Sequence, residues 1–187
     1  MNIHETSIPD CYEIDVKVFK DERGRLVKTF HEEIYRKFGL VTHFAEAYYS
    51  VSQQNVLRGL HFQIPPKDHT KVVHCAEGEI LDFVVDLRVG SPTYGKHAIL
   101  NLTSEKSNAV YIPSGLAHGF YIVSEMALVM YQVSSVYAPE YERGIHWNSL
   151  NLSWENFNPI VSAKDQSWRL LSEFESPFQY HPFLNYV

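Results

Sequence analysis

A chain of 187 residues is long enough for one well-formed core and close to the usual size of one domain, so a single domain over 1–187 is expected. With 45% hydrophobic and 20% charged residues it is not a disordered chain. A net charge of -6 excludes a general nucleic-acid binder, which needs clustered Lys and Arg, while leaving room for a few placed cations around a small phosphate ligand.

The first residues, MNIHETSIPDCYEIDVKVF, lack a basic start followed by an apolar block. No apolar run approaches the roughly 20 residues that cross a bilayer. A cytoplasmic protein without a membrane partner is expected. Cys11 and Cys75 stand far apart with no CxxC spacing, which points to neither a disulfide framework nor a thiolate metal site and fits a reducing cytosol.

Strands are expected at EIDVKVF, AYYSVS, KVVHCA, EILDFVVDL, HAILNLT, AVYIP, HGFYIV and ALVMYQVSSVY, a reading favoured by 14% aromatic residues. Turn signals separate them at Glu77-Gly78, Gly90-Ser91-Pro92, Ser104 to Asn108 and Pro113-Ser114-Gly115. One short helix is expected over Glu32 to Phe38, with acids in its first turn, cations in its last and Gly39 as its stop. The tail from about Ser162, with DQSWRLLSEFESPF, predicts a terminal helix followed by irregular structure. Many short strands at this spacing indicate an all-β sandwich or barrel, a jelly roll with short peripheral helices.

The segment Val56 to Pro66, VLRGLHFQIPP, sets a guanidinium (Arg58), an imidazole (His61) and a carboxamide (Gln63) around one glycine. On an extended strand His61 and Gln63 look one way and Phe62 the other. Such a histidine reads as a metal ligand or a general base. Three more polar residues interrupt apolar strands or turns, namely Lys71 in KVVHCA, His118 in YIPSGLAHGF and Tyr131 in ALVMYQVSSVY. Taken singly, each is what ordinary packing supplies.

Taken together they say more, because PSGLAH is similar to the Pro-x-Gly-x-x-His turn of cupin-type double-stranded β-helices, where it supplies a metal histidine. The matching His-x-His position of metal cupins reads His61-Phe62-Gln63 here, with an amide for the second imidazole. Lys67 and Lys71 lie where an anionic ligand would be expected, and an ammonium repels a dication and attracts an anion. A metal-free site with an imidazole, an ammonium, a phenol and a guanidinium suits removal of a proton next to a carbonyl. An imidazole, ordinarily titrating near 6.5, serves as base, an ammonium steadies the enolate oxygen, and a phenol returns a proton to the opposite face.

These blocks resemble the dTDP-4-dehydrorhamnose 3,5-epimerases over about Val18 to Asp165, through DERGRL, VLRGLHFQIPP, KVVHCAEGEILDFVVDLRVGSPTYG, IPSGLAHGF, YAPEYERGIHW and PIVSAKD in order. The resemblance implies a homodimeric jelly-roll cupin with shared active sites and neither metal nor cofactor. Its substrate would be a nucleotide-diphosphate 4-keto-6-deoxy sugar, epimerised at C3, C5 or both, in deoxysugar and surface-polysaccharide biosynthesis. It implies His61 as the base, Asp165 as the carboxylate that holds its imidazole, Lys71 as the group on the C4 oxygen and Tyr131 as the acid. Arg58 and His118 would contact phosphate and sugar, and Arg23 would reach across the dimer to the neighbouring nucleotide. Lys28, Glu46, Tyr48, Gln63 and Glu142 complete the expected substrate-binding set.

The chain leaves the family's pattern in the strip that contacts the nucleotide, with Leu26 and Lys28 for Phe and Glu, and Glu46 and Tyr48 for Gln-x-Asn. Lys28 and Glu46 are expected to pair across adjacent strands, restoring charge balance. These changes open the nucleotide to a cytidine, guanosine or uridine diphosphate as well as thymidine. The competing readings are a metal-dependent cupin enzyme and a sugar-binding cupin without turnover.

Overall fold

Period-two alternation of apolar and polar residues turns one face of each strand inward, and from it the computed structural model, which describes residues 1–150 and 158–182, builds two sheets packed face to face. In chain order the elements are β1 (Asn2–Glu5), β2 (Tyr12–Asp15), β3 (Lys17–Asp21), β4 (Gly24–Lys28), α1 (Glu32–Lys37), β5 (Glu46–Gln53), β6 (Val56–Gln63) and β7 (Lys71–Glu77). They continue as β8 (Glu79–Asp86), β9 (His97–Thr103), β10 (Asn108–Ile112), β11 (Leu116–Ile122), β12 (Met126–Val133), β13 (Glu142–Gly144), β14 (Ile160–Val161) and α2 (Ala163–Gln166). The first sheet runs β1-β2-β10-β7-β12-β5 and the second β13-β6-β11-β8-β9, with β14 added in parallel at the start of β6. This is the expected double-stranded β-helix with short peripheral helices.

Inward residues of both sheets form one buried cluster, including Val73 and Cys75 of β7, Ile80 and Val84 of β8, and Phe120 and Ile122 of β11. The alternate residues Phe83, Val85 and Ala117, with Leu60 and Phe62, form a second cluster outside the second sheet, against Leu150 and Phe178. A third cluster places Tyr35 of α1 and Leu40 over Ile14, Val72 and Tyr111 outside the first sheet. Each large side chain so enclosed contributes roughly 1.5–3 kcal/mol. Among the described residues no helix is long and apolar enough to cross a membrane.

Two expected elements differ. EIDVKVF is not one strand: Val16 drops into the third cluster, β2 stays with β10, and β3 leaves to pair with β4. The terminal helix over DQSWRLLSEFESPF does not form; α2 has a single turn and Leu171–Glu173 a short 3-10 turn. The tail's main chain bonds instead to the body, His146 N–H donating to Arg169 O at 2.8 Å and Tyr180 N–H to Val89 O at 2.9 Å. That path lays Leu171, Phe174 and Phe178 on the second cluster, a stretch of surface that a helix of the same residues would be too short to span.

One irregularity shapes β6. Its pairing with β11 shifts register between His118 opposite His61 and Phe120 opposite Arg58. The extra residue turns Arg58 and His61, three apart, to the same side, where strict alternation would separate them. Gly59 at the bulge has φ 126°, and a Cβ there would lie 2.5 Å from Gly119 Cα and 2.9 Å from His118 O. Gly59→Ala is expected to cost about 1–3 kcal/mol of stability, read from urea midpoints. Gly24→Ala, at φ 122° with nothing within 4 Å of the new Cβ, is the control for backbone strain alone, and equal losses at both sites would remove the clash as the cause.

Candidate active site

At one end of the interior the inward positions turn polar and enclose a cavity of about 220 Å³. Lys71 of β7 and Tyr131 of β12 enter it from the first sheet, and Arg58 and His61 of β6 and His118 of β11 from the second. Each occupies a register position that packs apolar side chains elsewhere: Tyr131 alternates with Val129 and Val133, and His118 with Leu116 and Phe120.

Asp165 fixes His61. Ser162 caps α2 by accepting the Asp165 N–H at 3.0 Å, which sets Asp165 at the third helical position. From there Oδ1 lies 2.7 Å from His61 Nε2, and Oδ2 accepts the N–H of Gly59 at 3.2 Å. Burial alone would raise this carboxyl, but the hydrogen bond and charge of His61, with the Gly59 and Ser162 contacts, outweigh it and hold Asp165 below the usual carboxylate range. With Nε2 committed, Nδ1 is the ring nitrogen left for a substrate.

Lys71 reaches across the sandwich to donate from Nζ to the main-chain oxygen of His61 at 3.1 Å. Its enclosure pushes the ammonium down to about 8, against the pull of Glu142 and Asp82. Tyr131 is buried, with its hydroxyl 3.4 Å from Ser50 Oγ. Burial drives its phenol well above the ordinary value, while Ser50 and the Arg58 guanidinium ease its ionisation. Register places Tyr48 opposite Tyr131, and the rings stack 4.6 Å apart at 18°. Arg58 donates from Nε to Ser52 Oγ at 2.9 Å and forms no ion pair among the described residues.

Several expected binding residues have other duties. Gln63 lines the cavity, but its amide is spent: Nε2 faces Lys67 O at 2.6 Å, His69 Nδ1 at 3.1 Å and Val136 O at 3.2 Å, while Oε1 accepts the Ala138 N–H at 2.6 Å. These contacts brace two loops from the cavity wall. Glu142 accepts from Lys164 and from the Tyr137 hydroxyl at the cavity rim, and these contacts hold it below the usual range despite the opposing effect of burial. Arg23 pairs with Asp21 on the exposed β3–β4 hairpin, outside the cavity, and Lys28 lies on the same hairpin opposite Lys17. The expected Lys28–Glu46 pair does not form. Their strands belong to different sheets, and Glu46 accepts the Tyr137 N–H at 2.8 Å instead.

Asp82 was not anticipated. It lies 2.7 Å from His118 Nε2 through Oδ2, and its signal was readable in EILDFVVDL as an acid at an inward register between Ile80 and Val84. Tyr137 and His69 line the cavity from loops and Lys164 of α2 meets Glu142 at its rim, and no strand pattern announces them. His69 is held neutral, pushed down to about 3 by burial and then by Lys71 and His118.

The family model for dTDP-4-dehydrorhamnose 3,5-epimerase matches residues 5–173. The chain is 40% identical over 168 residues to the dTDP-4-dehydrorhamnose 3,5-epimerase of Shigella flexneri, covering 88% of this chain and 93% of the relative. Its fold superposes with a TM-score of 0.90 and 35% identity on the dTDP-6-deoxy-D-glucose-3,5-epimerase of Legionella pneumophila solved with dTDP-4-keto-L-rhamnose, over 96% and 98% of the two chains. A 3'-monoepimerase of Streptomyces bikiniensis in complex with dTDP-quinovose matches with a TM-score of 0.84 and 33% identity, over 90% and 87%.

The lowered Asp165 pKa carries a pH signature. Its contribution is complete above the ordinary carboxyl value of about 3.9 and is lost as pH falls through the lower folded value. Asp165→Asn is expected to lower stability by about 1–3 kcal/mol at neutral pH and to flatten the decline below about pH 4, read from urea midpoints across that range. An unchanged acid slope would assign it to the other lowered buried carboxylate, Asp86.

Proposed function

The chain belongs to the dTDP-4-dehydrorhamnose 3,5-epimerase family, and from that premise we propose that its cavity inverts C3, C5 or both of a nucleotide-linked 4-keto-6-deoxyhexose with His61 as base and Tyr131 as acid. One observation carries the assignment: the imidazole and the phenol enter the same cavity from opposite sheets, so they address opposite faces of a sugar between them.

His61 takes the proton from a carbon beside the C4 ketone. The C–H electrons form the enolate double bond, and the carbonyl electrons move to the C4 oxygen, which the Lys71 ammonium steadies. Tyr131 delivers its proton to the other face of that carbon, the enolate collapses to the ketone, and solvent resets both groups. Because the ketone acidifies both neighbouring carbons, one base and one oxyanion donor serve C3 and C5 in turn. A positioned base or acid contributes about 10² to 10⁴-fold. This places the chain among the isomerases of deoxysugar biosynthesis.

The donor set suits this chemistry better than a metal. A lysine ammonium lines the same cavity as the imidazoles of His61 and His118. A dication would meet that charge directly.

The cavity is smaller than the roughly 300–1,000 Å³ of sites that bury a drug-sized ligand, so it accepts a sugar ring and leaves the nucleotide outside. Arg58, free of carboxylate partners among the described residues, meets the diphosphate there. The partner is a second copy of the chain. Among the described residues the β3–β4 hairpin has no third strand beside it; it exposes Phe19 and Leu26 opposite one another and carries Arg23, while edge strand β5 exposes Tyr49 and Val51. A lone two-stranded hairpin is marginal in water, and an apolar edge invites cover. In this dimer Arg23 reaches the neighbouring subunit's nucleotide. The two buried free cysteines fit a cytoplasmic location.

Proton NMR in deuterated water with dTDP-, CDP-, GDP- and UDP-4-keto-6-deoxyhexoses tests the reading. Label entering at C3, C5 or both is expected, and binding without exchange would make the protein a sugar-binding cupin. Tyr131→Phe is expected to spare exchange more than inversion, whereas equal loss of both would remove the acid assignment. Lys71 sets the alkaline side: its ammonium is needed charged and titrates at about 8, so kcat/KM is expected to fall as pH rises through that value. A profile flat to about pH 10 would show that the oxyanion is held by something else.

A further inference from the structure

His118 and Asp82 form a second imidazole–carboxyl pair that differs from the first in its surroundings. The β8–β11 register sets His118 opposite Val84 and Phe120 opposite Asp82, making the pair diagonal neighbours on the inward face. Both are enclosed, at 3% and 0% exposure. Asp82 Oδ2 lies 2.7 Å from His118 Nε2, and Asp82 Oδ1 has no hydrogen-bond partner among the described residues. Other titratable groups facing the pair are Lys71 of β7, His61 of β6, Tyr131 of β12, His69 of the loop before β7 and the thiol of Cys11. The Lys71 ammonium is directed to His61 O, which leaves Asp82 Oδ1 without a donor.

An ionised carboxylate here would keep half its charge on a fully buried, unbonded oxygen, whereas a neutral acid leaves only a carbonyl oxygen unpartnered and satisfies Nε2 with its O–H. Burial raises the Asp82 carboxyl and lowers the His118 imidazole, in each case against the attraction of the other. We propose that Asp82 is protonated in the resting protein and donates its O–H to His118 Nε2, fixing His118 as the neutral tautomer whose Nδ1–H is offered to the cavity as a second donor beside Lys71. Asp82 touches no substrate and is a positioning residue acting through His118. The O–H and N–H bonds persist through turnover, so no proton is consumed. The oxyanion role rests on the epimerase reading, while the tautomer itself does not. The opposite arrangement, an anionic Asp82 accepting from Nε2–H, would turn a lone pair at Nδ1 toward the growing negative charge.

The test is a long-range ¹⁵N–¹H correlation spectrum of the intact protein labelled at histidine, with His118 assigned by its absence in His118→Asn. Nδ1 protonated and Nε2 bare is expected around neutral pH. An Nε2–H tautomer, or an imidazolium protonated at both nitrogens, would overturn the proposal. In the kinetic arm, Asp82→Leu is expected to lower kcat on the order of tenfold or more with a smaller change in KM. Asp82→Asn, whose amide N–H can donate to Nε2, is expected to restore most of that loss and the same tautomer. An Asn variant as impaired as the Leu variant would show that negative charge is what Asp82 supplies, and would sink the idea. The spectrum needs no substrate, so its outcome is separate from any failure of the epimerase assignment.

Discussion

The hydrogen bonds of the Asp165 carboxylate join two features of the cavity that lie on one strand. One oxygen orients the imidazole of His61, and the other holds the N–H of Gly59, the residue whose bulge turns Arg58 to the same side as that imidazole. Remove the carboxylate and the His61 imidazole loses its orientation while the Arg58 guanidinium loses the backbone contact that aims it. Asp165 itself depends on a single helical turn capped by Ser162, so a four-residue helix sets the geometry of the bulged strand β6. The capping contact, a bond of ordinary strength, matters here for where it puts a charge more than for the free energy it contributes.

Polar groups inside a sandwich are costly, and this fold concentrates them. Among the described residues the inward faces are apolar over most of their length and become polar at one end, where two sheets supply five side chains of four chemical kinds around one small cavity. The two outer clusters make that possible. By covering both sheets from outside they keep each strand stiff and dry, so that the inner register holds Lys71, Tyr131 and His118 in place without help from solvent. The carboxyl-terminal tail belongs to this outer layer, which explains why it runs extended where its composition suggested a helix. Its aromatic residues serve the second sheet rather than one another.

Strand residues were legible because period two relates sequence to face without reference to anything distant. His61, Lys71, His118 and Tyr131 each break an apolar alternation, and the structure brings all four together. The same rule would have found Asp82, an acid inside a buried run. Asp165 was reachable only through resemblance, since a carboxylate in a short polar loop has no local pattern. The same alternation put Gln63 on the inward face, but the loop carbonyls at Lys67 and Val136 that meet its amide come from segments whose paths no local signal fixes. Lys28 and Glu46 show the same limit, because their proximity depends on which sheet each strand joins.

The two imidazole–carboxyl pairs show how environment divides labour among identical parts. Asp165 receives bonds from His61, Gly59 and the start of α2, enough to keep its charge at the edge of the cavity, and an anion there favours an imidazole that gains a proton. Asp82 has one partner, no access to water and an unbonded oxygen, conditions that favour a neutral acid and an imidazole that keeps a fixed hydrogen. Base and oxyanion donor are opposite tasks, one accepting a proton and the other holding one against developing charge. Two His–Asp contacts of the same 2.7 Å length therefore suit opposite tasks under the proposed reaction, because the number of further bonds to each carboxyl, not the contact itself, sets where the proton is favoured.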